Sequence, residues 1–208
     1  MYVVLGMEFA AGGDLLRYVR QRRRLAESCA QELFKQVIDG ISHVHAMGVV
    51  HRDIKLENLL LDSFGCIKIA DFGVAVVVRQ PGRLLQEYCG TPSYIAPEIL
   101  LETGYEGQPV DVWSSGVVLY AMLCGRVPFK AEHLSDLKRS ILRGRFHAPS
   151  HLSQSAAMLV RAMLVVEPRK RALVPGVLLH PWLEGIENRA AFLYGALPQP
   201  ELPEDGRP

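Results

Sequence analysis

Between residues 27 and 47, apolar side chains recur at three-and-four spacing: Ala30, Leu33, Phe34, Val37, Ile38, Ile41 and Val44. That period lines them along one stripe of a helix, and Gly48 stands where a C′ glycine would end it. Residues 109–124, closed by Gly125, are apolar most of the way round, the pattern of a helix enclosed in a core. Residues 2–7 are apolar and β-branched and read as a buried strand, which needs neighbours on both sides. Gly12-Gly13 breaks that run, and Asp14 is placed to N-cap a short helix running toward the arginine-rich residues 21–24. Short strands are expected at residues 59–61 and 67–70, joined by the turn Asp62-Ser63-Phe64-Gly65. Segment 71–98 is punctuated by Gly, Pro and polar residues and reads mostly as a long loop, a length at which loops in compact domains are functional or disordered. Two or three helices fit between Ser135 and His180, and the proline-rich tail from Leu197 is expected to fray. No internal repeat is visible.

The chain has 208 residues, 49% of them hydrophobic and 22% charged, which excludes a disordered or collagen-like chain and suits one globular domain. Its 23 basic and 22 acidic residues leave a net charge of +1, too small for a nucleic-acid binder relying on phosphate attraction. Cys29, Cys66, Cys89 and Cys124 are far apart, with no C-x-x-C pair, and read as reduced thiols. His43 and His45 would point to different faces of their helix, which argues against a shared metal. The longest strongly apolar stretch, 117–123, is short of a membrane span, and Met1-Tyr2-Val3-Val4 shows no secretory leader. The expectation is a soluble intracellular domain, cytoplasmic with the nucleus also open, without nucleic-acid or membrane partners and of open oligomeric state. The arginines of 20–24 read as the solvated end of a helix.

The chemistry lies in four runs. His51-Arg52-Asp53-Ile54-Lys55-Leu56-Glu57-Asn58 follows the long helix, and Asp71-Phe72-Gly73 begins thirteen residues beyond Asn58. Cys89-Gly90-Thr91-Pro92 leads to Ala96-Pro97-Glu98, and Asp111-Val112-Trp113 opens the apolar helix. In this order the chain resembles a eukaryotic protein kinase over roughly residues 1–184, with 185–208 as a tail. The resemblance implies an α+β fold, specifically the mainly helical large lobe with a hinge strand and short hairpins. It implies ATP and Mg²⁺ as cofactors and protein substrates. Asp53 would be the base, Lys55 the stabiliser of the transferring phosphoryl group, and Asn58 and Asp71 the oxygen ligands of Mg²⁺. Met7, Glu8 and Ala10 resemble the hinge that meets adenine, Leu60 the floor under the base, and Asp14 a ribose partner. Lys55 in D-I-K-x-E-N is of the serine/threonine kind. The hinge run and His180-Pro181-Trp182 look most like the calcium/calmodulin-dependent and AMP-activated-related group. Thr91 would steady the catalytic loop, Glu98 would pair with Arg171, and Asp111 would accept backbone hydrogen bonds. Asp14 and Glu57 suggest a preference for basic residues upstream of the target hydroxyl.

The chain departs from this pattern in two places. The 208 residues contain no G-x-G-x-x-G loop and no V-A-I-K-type lysine strand. The resemblance then implies a large lobe plus hinge, with the inner face around His51, Leu60 and Phe72 exposed and weak turnover. A non-catalytic module binding substrates or regulators is the rival expectation. Second, no serine or threonine lies between Gly73 and Cys89, and Tyr88 is the sole hydroxyl there. Glu87 stands where relatives carry a phosphorylated threonine. It is either a standing charge for Arg52 or a solvated glutamate on a loop; both readings are open at this point.

Overall fold

A computed structural model describes residues 4, 6–78, 80 and 82–186. In chain order these form β1 (Gly13–Asp14), α1 (Leu15–Arg22), α2 (Glu27–Ala46), β2 (Val49–Val50), β3 (Leu59–Leu61), β4 (Ile67–Ile69), β5 (Val76–Val77), α3 (Pro97–Leu100), α4 (Gly107–Cys124), α5 (Leu134–Arg143), α6 (Gln154–Met163) and α7 (Val174–Leu178). Short 3₁₀ turns lie at Leu56–Asn58, Pro168–Lys170 and Pro181–Leu183. The fold is α+β and mainly helical.

α4 is the axis of the core. Every residue from Pro109 to Leu123 is buried, as a helix without a polar stripe must be if it is to remain in water. α2 covers one side and α6 another. A Cβ on Gly116 would stand 2.9 Å from the Met163 Cβ, so the absence of a side chain there lets α6 approach. Trp113 stacks on Phe129 with ring centroids 5.5 Å apart, and Phe129 meets Phe146 edge-on at 6.0 Å. The α2 stripe is buried as its period predicts, with one change at its end. Val44 is only half-buried, and His45, four residues after Ile41, takes the buried position.

β1, β3 and β4 form an antiparallel sheet in which Leu60 lies opposite Asp14 on one side and Lys68 on the other. Strand alternation sends Leu59 and Leu61 into the core and Leu60 to the other face. β2 and β5 pair separately, Val49 with Val77 and Val50 with Val76.

Several expectations are corrected. Gly12-Gly13 is no simple break, since Gly13 lies in β1 and the Gly12 N–H donates to the Leu61 carbonyl at 2.8 Å. Of the predicted strand at 2–7, the described Val4, Gly6 and Met7 form no strand and are exposed, because no described strand lies beside them to take their backbone groups. Tyr2, Val3 and Leu5 lie outside the described residues. Segment 71–98 contains β5 and the start of α3, and α4 begins at Gly107, two residues early. The tail from 187 lies outside the described residues. Among the described residues no helix is long and apolar enough to cross a membrane.

Candidate active site

The loop between β2 and β3 is held by a carboxylate from the core. Asp111, in the first turns of α4 and fully buried, accepts the backbone N–H of His51 at 2.9 Å and of Arg52 at 2.8 Å. His45 Nε2 lies 2.8 Å from the same carboxylate. An ion in a low-dielectric interior costs several kcal/mol unless its oxygens are satisfied, and these groups satisfy them. In return the carboxylate fixes the loop. Arg52 has φ 68°, a left-handed conformation costing a non-glycine residue about 1–2 kcal/mol.

That turn delivers Asp53. Its Oδ1 accepts the Thr91 hydroxyl at 2.8 Å and its Oδ2 accepts Lys55 Nζ at 2.7 Å. Lys55 also donates to Thr91 Oγ1 at 3.0 Å, closing a three-membered cluster. Asn58 donates its amide N–H to the Asp53 carbonyl at 2.9 Å, which leaves its amide oxygen for another partner. The Ala70 N–H donates to the Asn58 carbonyl at 2.8 Å and so brings Asp71, the next residue, up to the loop. Asp71 has φ 61°, and the Gly73 N–H donates to its Oδ1 at 3.3 Å. The structure thus brings together Asp53, Lys55, Asn58, Asp71 and Thr91, the first four predicted as catalytic or ligand residues and Thr91 as the support of their loop.

His51 departs from expectation. It is buried rather than exposed, because Phe72 lies edge-on over it at 4.7 Å and its Nε2 is 3.0 Å from the Ala70 carbonyl. Phe72 itself is 44% exposed, as predicted, whereas Leu60 is half-buried, not exposed.

The other predicted binding residues sit nearer the sheet. Asp14 N-caps α1 by accepting the Arg17 N–H at 2.7 Å. Glu8 is tied to β4 by Lys68, whose Nζ lies 3.2 Å from its carboxylate, while Met7 points to solvent and the Ala10 carbonyl accepts the Gly13 N–H at 3.1 Å. No described contact joins Met7, Glu8 or Ala10 to the Asp53 cluster.

Two further ion pairs frame the site. Arg171 donates to both carboxylate oxygens of Glu98 at 2.6 and 2.8 Å and to the Pro109 carbonyl at 2.7 Å, with its guanidinium 5.1 Å over the Trp113 ring. Arg52 donates to Glu87, whose carboxyl is held below the usual carboxylate range by that hydrogen bond and charge. Burial alone would lower Arg52, but its bonds to Glu87 and Tyr105 carry it above its ordinary value. Tyr105 is pushed up to about 12 by burial.

His45 and Tyr105 are the site-supporting residues that the motifs do not name. A signal for His45 exists in the helical period, which continues from Ile41 to position 45.

Asn58 and Asp71 offer an amide oxygen and a carboxylate, hard donors that suit Mg²⁺. Among the described residues no three His, Cys, Asp or Glu gather around a common point. A nucleotide-bound Mg²⁺ needs no such cage, because it keeps waters and phosphate oxygens and takes one or two protein groups. The donor set fits the ion.

A buried aspartate thus grips the loop, a loop aspartate is flanked by lysine and asparagine, and a second aspartate follows a short hairpin. The protein kinase domain model matches residues 1–183. The chain is 44% identical over 176 residues to the probable serine/threonine-protein kinase MARK-C of Dictyostelium discoideum, covering 85% of this chain and 23% of that protein. It is 42% identical over 207 residues to serine/threonine protein kinase OSK3 of Oryza sativa subsp. indica, covering 100% and 39%. It is 43% identical over 179 residues to CBL-interacting serine/threonine-protein kinase 5 of Arabidopsis thaliana, covering 85% and 40%. The chain belongs to the eukaryotic protein kinase family, serine/threonine type, and its resemblance to the calcium/calmodulin-dependent and AMP-activated-related group fits these relatives. It spans 40% or less of the length of each of these three relatives.

Proposed function

We propose that this chain carries the catalytic lobe that transfers the γ-phosphoryl group of ATP to a serine or threonine hydroxyl of a protein. The observation that carries this reading is the Asp53 carboxylate, held by Thr91 and Lys55 at the end of a loop anchored on Asp111. Asp53 accepts the substrate hydroxyl and takes its proton as the oxygen attacks the γ-phosphorus and the bond to the β–γ bridging oxygen breaks, releasing ADP. Lys55, two residues on, turns its ammonium from Asp53 toward the charge spreading over the transferring group. Asn58 and Asp71 would hold Mg²⁺, which when bound would neutralise phosphate charge. Met7, Glu8 and Ala10 take the adenine edge, Leu60 the base and Asp14 the ribose. Asp14 and Glu57 favour cationic residues upstream of the target. The domain occupies residues 1–184 with 185–208 as a tail, and the setting is the cytoplasm or the nucleus.

The test is transfer of labelled γ-phosphate to a serine peptide by the purified chain and by its Asp53→Asn variant. The variant should lose about 10²–10⁴-fold in rate while the fold is kept. Transfer that survives the substitution overturns the reading.

The exposed apolar side chains Met7, Phe9 and Phe72 favour one alternative, a module that binds peptide or regulator without transfer. Calorimetric peptide binding by a chain that transfers no label would establish it.

A further inference from the structure

α5 is fixed on one side and charged on the other. Leu137 and Ile141 are buried, while Arg139 and Arg143, one turn apart, are exposed. The chain leaves the helix at Gly144, whose φ of 61° is left-handed and whose N–H donates to the Ser140 carbonyl at 3.1 Å and the Ile141 carbonyl at 2.9 Å. A Cβ there would collide with the Val166 side chain, so the turn lies directly on the body of the lobe. Two residues on, Phe146 meets Tyr120 edge-on at 5.8 Å and Phe129 at 6.0 Å. Arg145 is therefore held between two anchored residues, and the backbone sets its place beside Arg143.

The result is a shallow groove of about 770 Å³ lined by Asp136, Arg139, Ser140, Arg143 and Arg145, with no apolar side chain in its wall. Arg139 lies 3.4 Å from Asp136. Among the described residues no hydrogen bond or ion pair engages the guanidinium of Arg143 or Arg145. Three guanidiniums against one carboxylate leave a local excess of two positive charges, in a chain whose net charge is only +1. The dipole of α5 is complemented by one cation in its last turn and does not call for three.

We propose that this groove binds a phosphorylated serine or threonine of a partner protein. The proposal goes beyond the kinase reading and does not need Asp53 to be a base. A phosphate monoester brings about 1.5–2 negative charges and three acceptor oxygens, and guanidinium forks meet such oxygens in pairs. The Ser140 hydroxyl adds a donor to the wall. A carboxylate would leave part of the charge uncompensated, and the base of a nucleotide would find no apolar surface to lie on. The phosphate must therefore arrive on a polar chain, and an earlier phosphoryl transfer must have put it there. α5 adjoins the candidate active site: Lys138, on the same helix, has its ammonium 5.2 Å from the centre of the Tyr88 ring, and three residues later Thr91 bonds to Asp53.

The experiment is fluorescence anisotropy of a fluorescein-labelled phosphoserine peptide, glycine and alanine elsewhere, titrated with the 208-residue chain. Its serine and glutamate counterparts are measured beside it, with inorganic phosphate as competitor. The phosphoserine peptide should bind at least about tenfold tighter than either counterpart. Arg143→Ala and Arg145→Ala should each weaken binding about five- to tenfold, and Arg143→Lys, which keeps the charge without the fork, about two- to threefold. Both arginines are exposed, and circular dichroism matching the parent chain keeps folding out of the comparison. Inorganic phosphate should displace the peptide only at concentrations well above the peptide's Kd. Binding that is absent, equal for the serine or glutamate peptide, or unchanged in both alanine variants overturns the proposal. Phosphate that binds as tightly as the peptide also overturns it, because the ligand is then the free ion. Sedimentation with phosphatidylserine vesicles through the same arginines, without peptide binding, assigns the groove to a membrane and overturns it too.

Discussion

At the scale of single residues, Arg171 and Glu98 show what a buried charge demands. The side chain of Arg171 is fully buried and that of Glu98 nearly so, and the guanidinium also takes the carbonyls of Pro109 and Val165. Removing one member of such a pair strands the other in a dry interior. Glu98→Ala is expected to cost about 3–5 kcal/mol in urea unfolding. Replacing both by apolar residues, Glu98→Leu with Arg171→Met, should cost markedly less, because no unpaired ion remains. A single-variant loss under about 1 kcal/mol would place the pair with ordinary surface bridges and refute the expectation. The pair was legible in the sequence because both members lie in recognisable runs. The partners of His45 and Tyr105 were not: Asp111 and Glu87 stand 66 and 18 residues away, and the helical period marks His45 as buried without naming its partner.

Among the elements, α2, α6 and the Pro181–Leu183 turn meet at one carboxylate. Glu27, in the first turn of α2, accepts the Ser153 N–H at 2.6 Å, the Ser153 hydroxyl at 2.7 Å and Trp182 Nε1 at 3.0 Å. Ser153 meanwhile caps α6 through the Ala156 N–H at 3.1 Å. Burial pushes the Glu27 carboxyl up, but the bonds from Ser153 and Trp182, with the charge of His151, outweigh it and hold the group below its ordinary value. A depressed carboxyl adds stability above its unfolded pKa and loses it as the pH falls through the folded one. The stability gap between the parent chain and Glu27→Gln should therefore be largest near neutrality and shrink in acid. A gap constant from about pH 7 to about pH 3 would show that Glu27 does not act through its charge. The two long helices were readable because a period repeated over several turns outweighs local noise. β2 and β5 were not, since each has two residues and exists by pairing with the other across the intervening chain. At its described residues Val4, Gly6 and Met7 the apolar run misled for the opposite reason: the pattern reports that a segment could be buried, and only a neighbouring strand can bury it.

Across the whole molecule the charges almost cancel, so any preference among peptides must come from local placement. Asp14 caps α1 beside Leu60 of the sheet, and Glu57 is exposed on the turn between Asp53 and β3. A peptide array should show arginine favoured upstream of the target hydroxyl, and Glu57→Gln should weaken that preference without abolishing transfer. Indifference to arginine, or a taste for acidic residues, would sink it. The anchoring of the loop on Asp111 carries a different consequence. Because this carboxylate is satisfied in the core by His45 and by the backbone N–H groups of His51 and Arg52, the interior and the loop are completed together. Architecture and reactivity are thus under separate constraints within a single loop. A descendant that abandoned chemistry could drift at Asp53 within a few substitutions, yet it would have to keep Asp111, which would outlast the activity as a mark of the lineage.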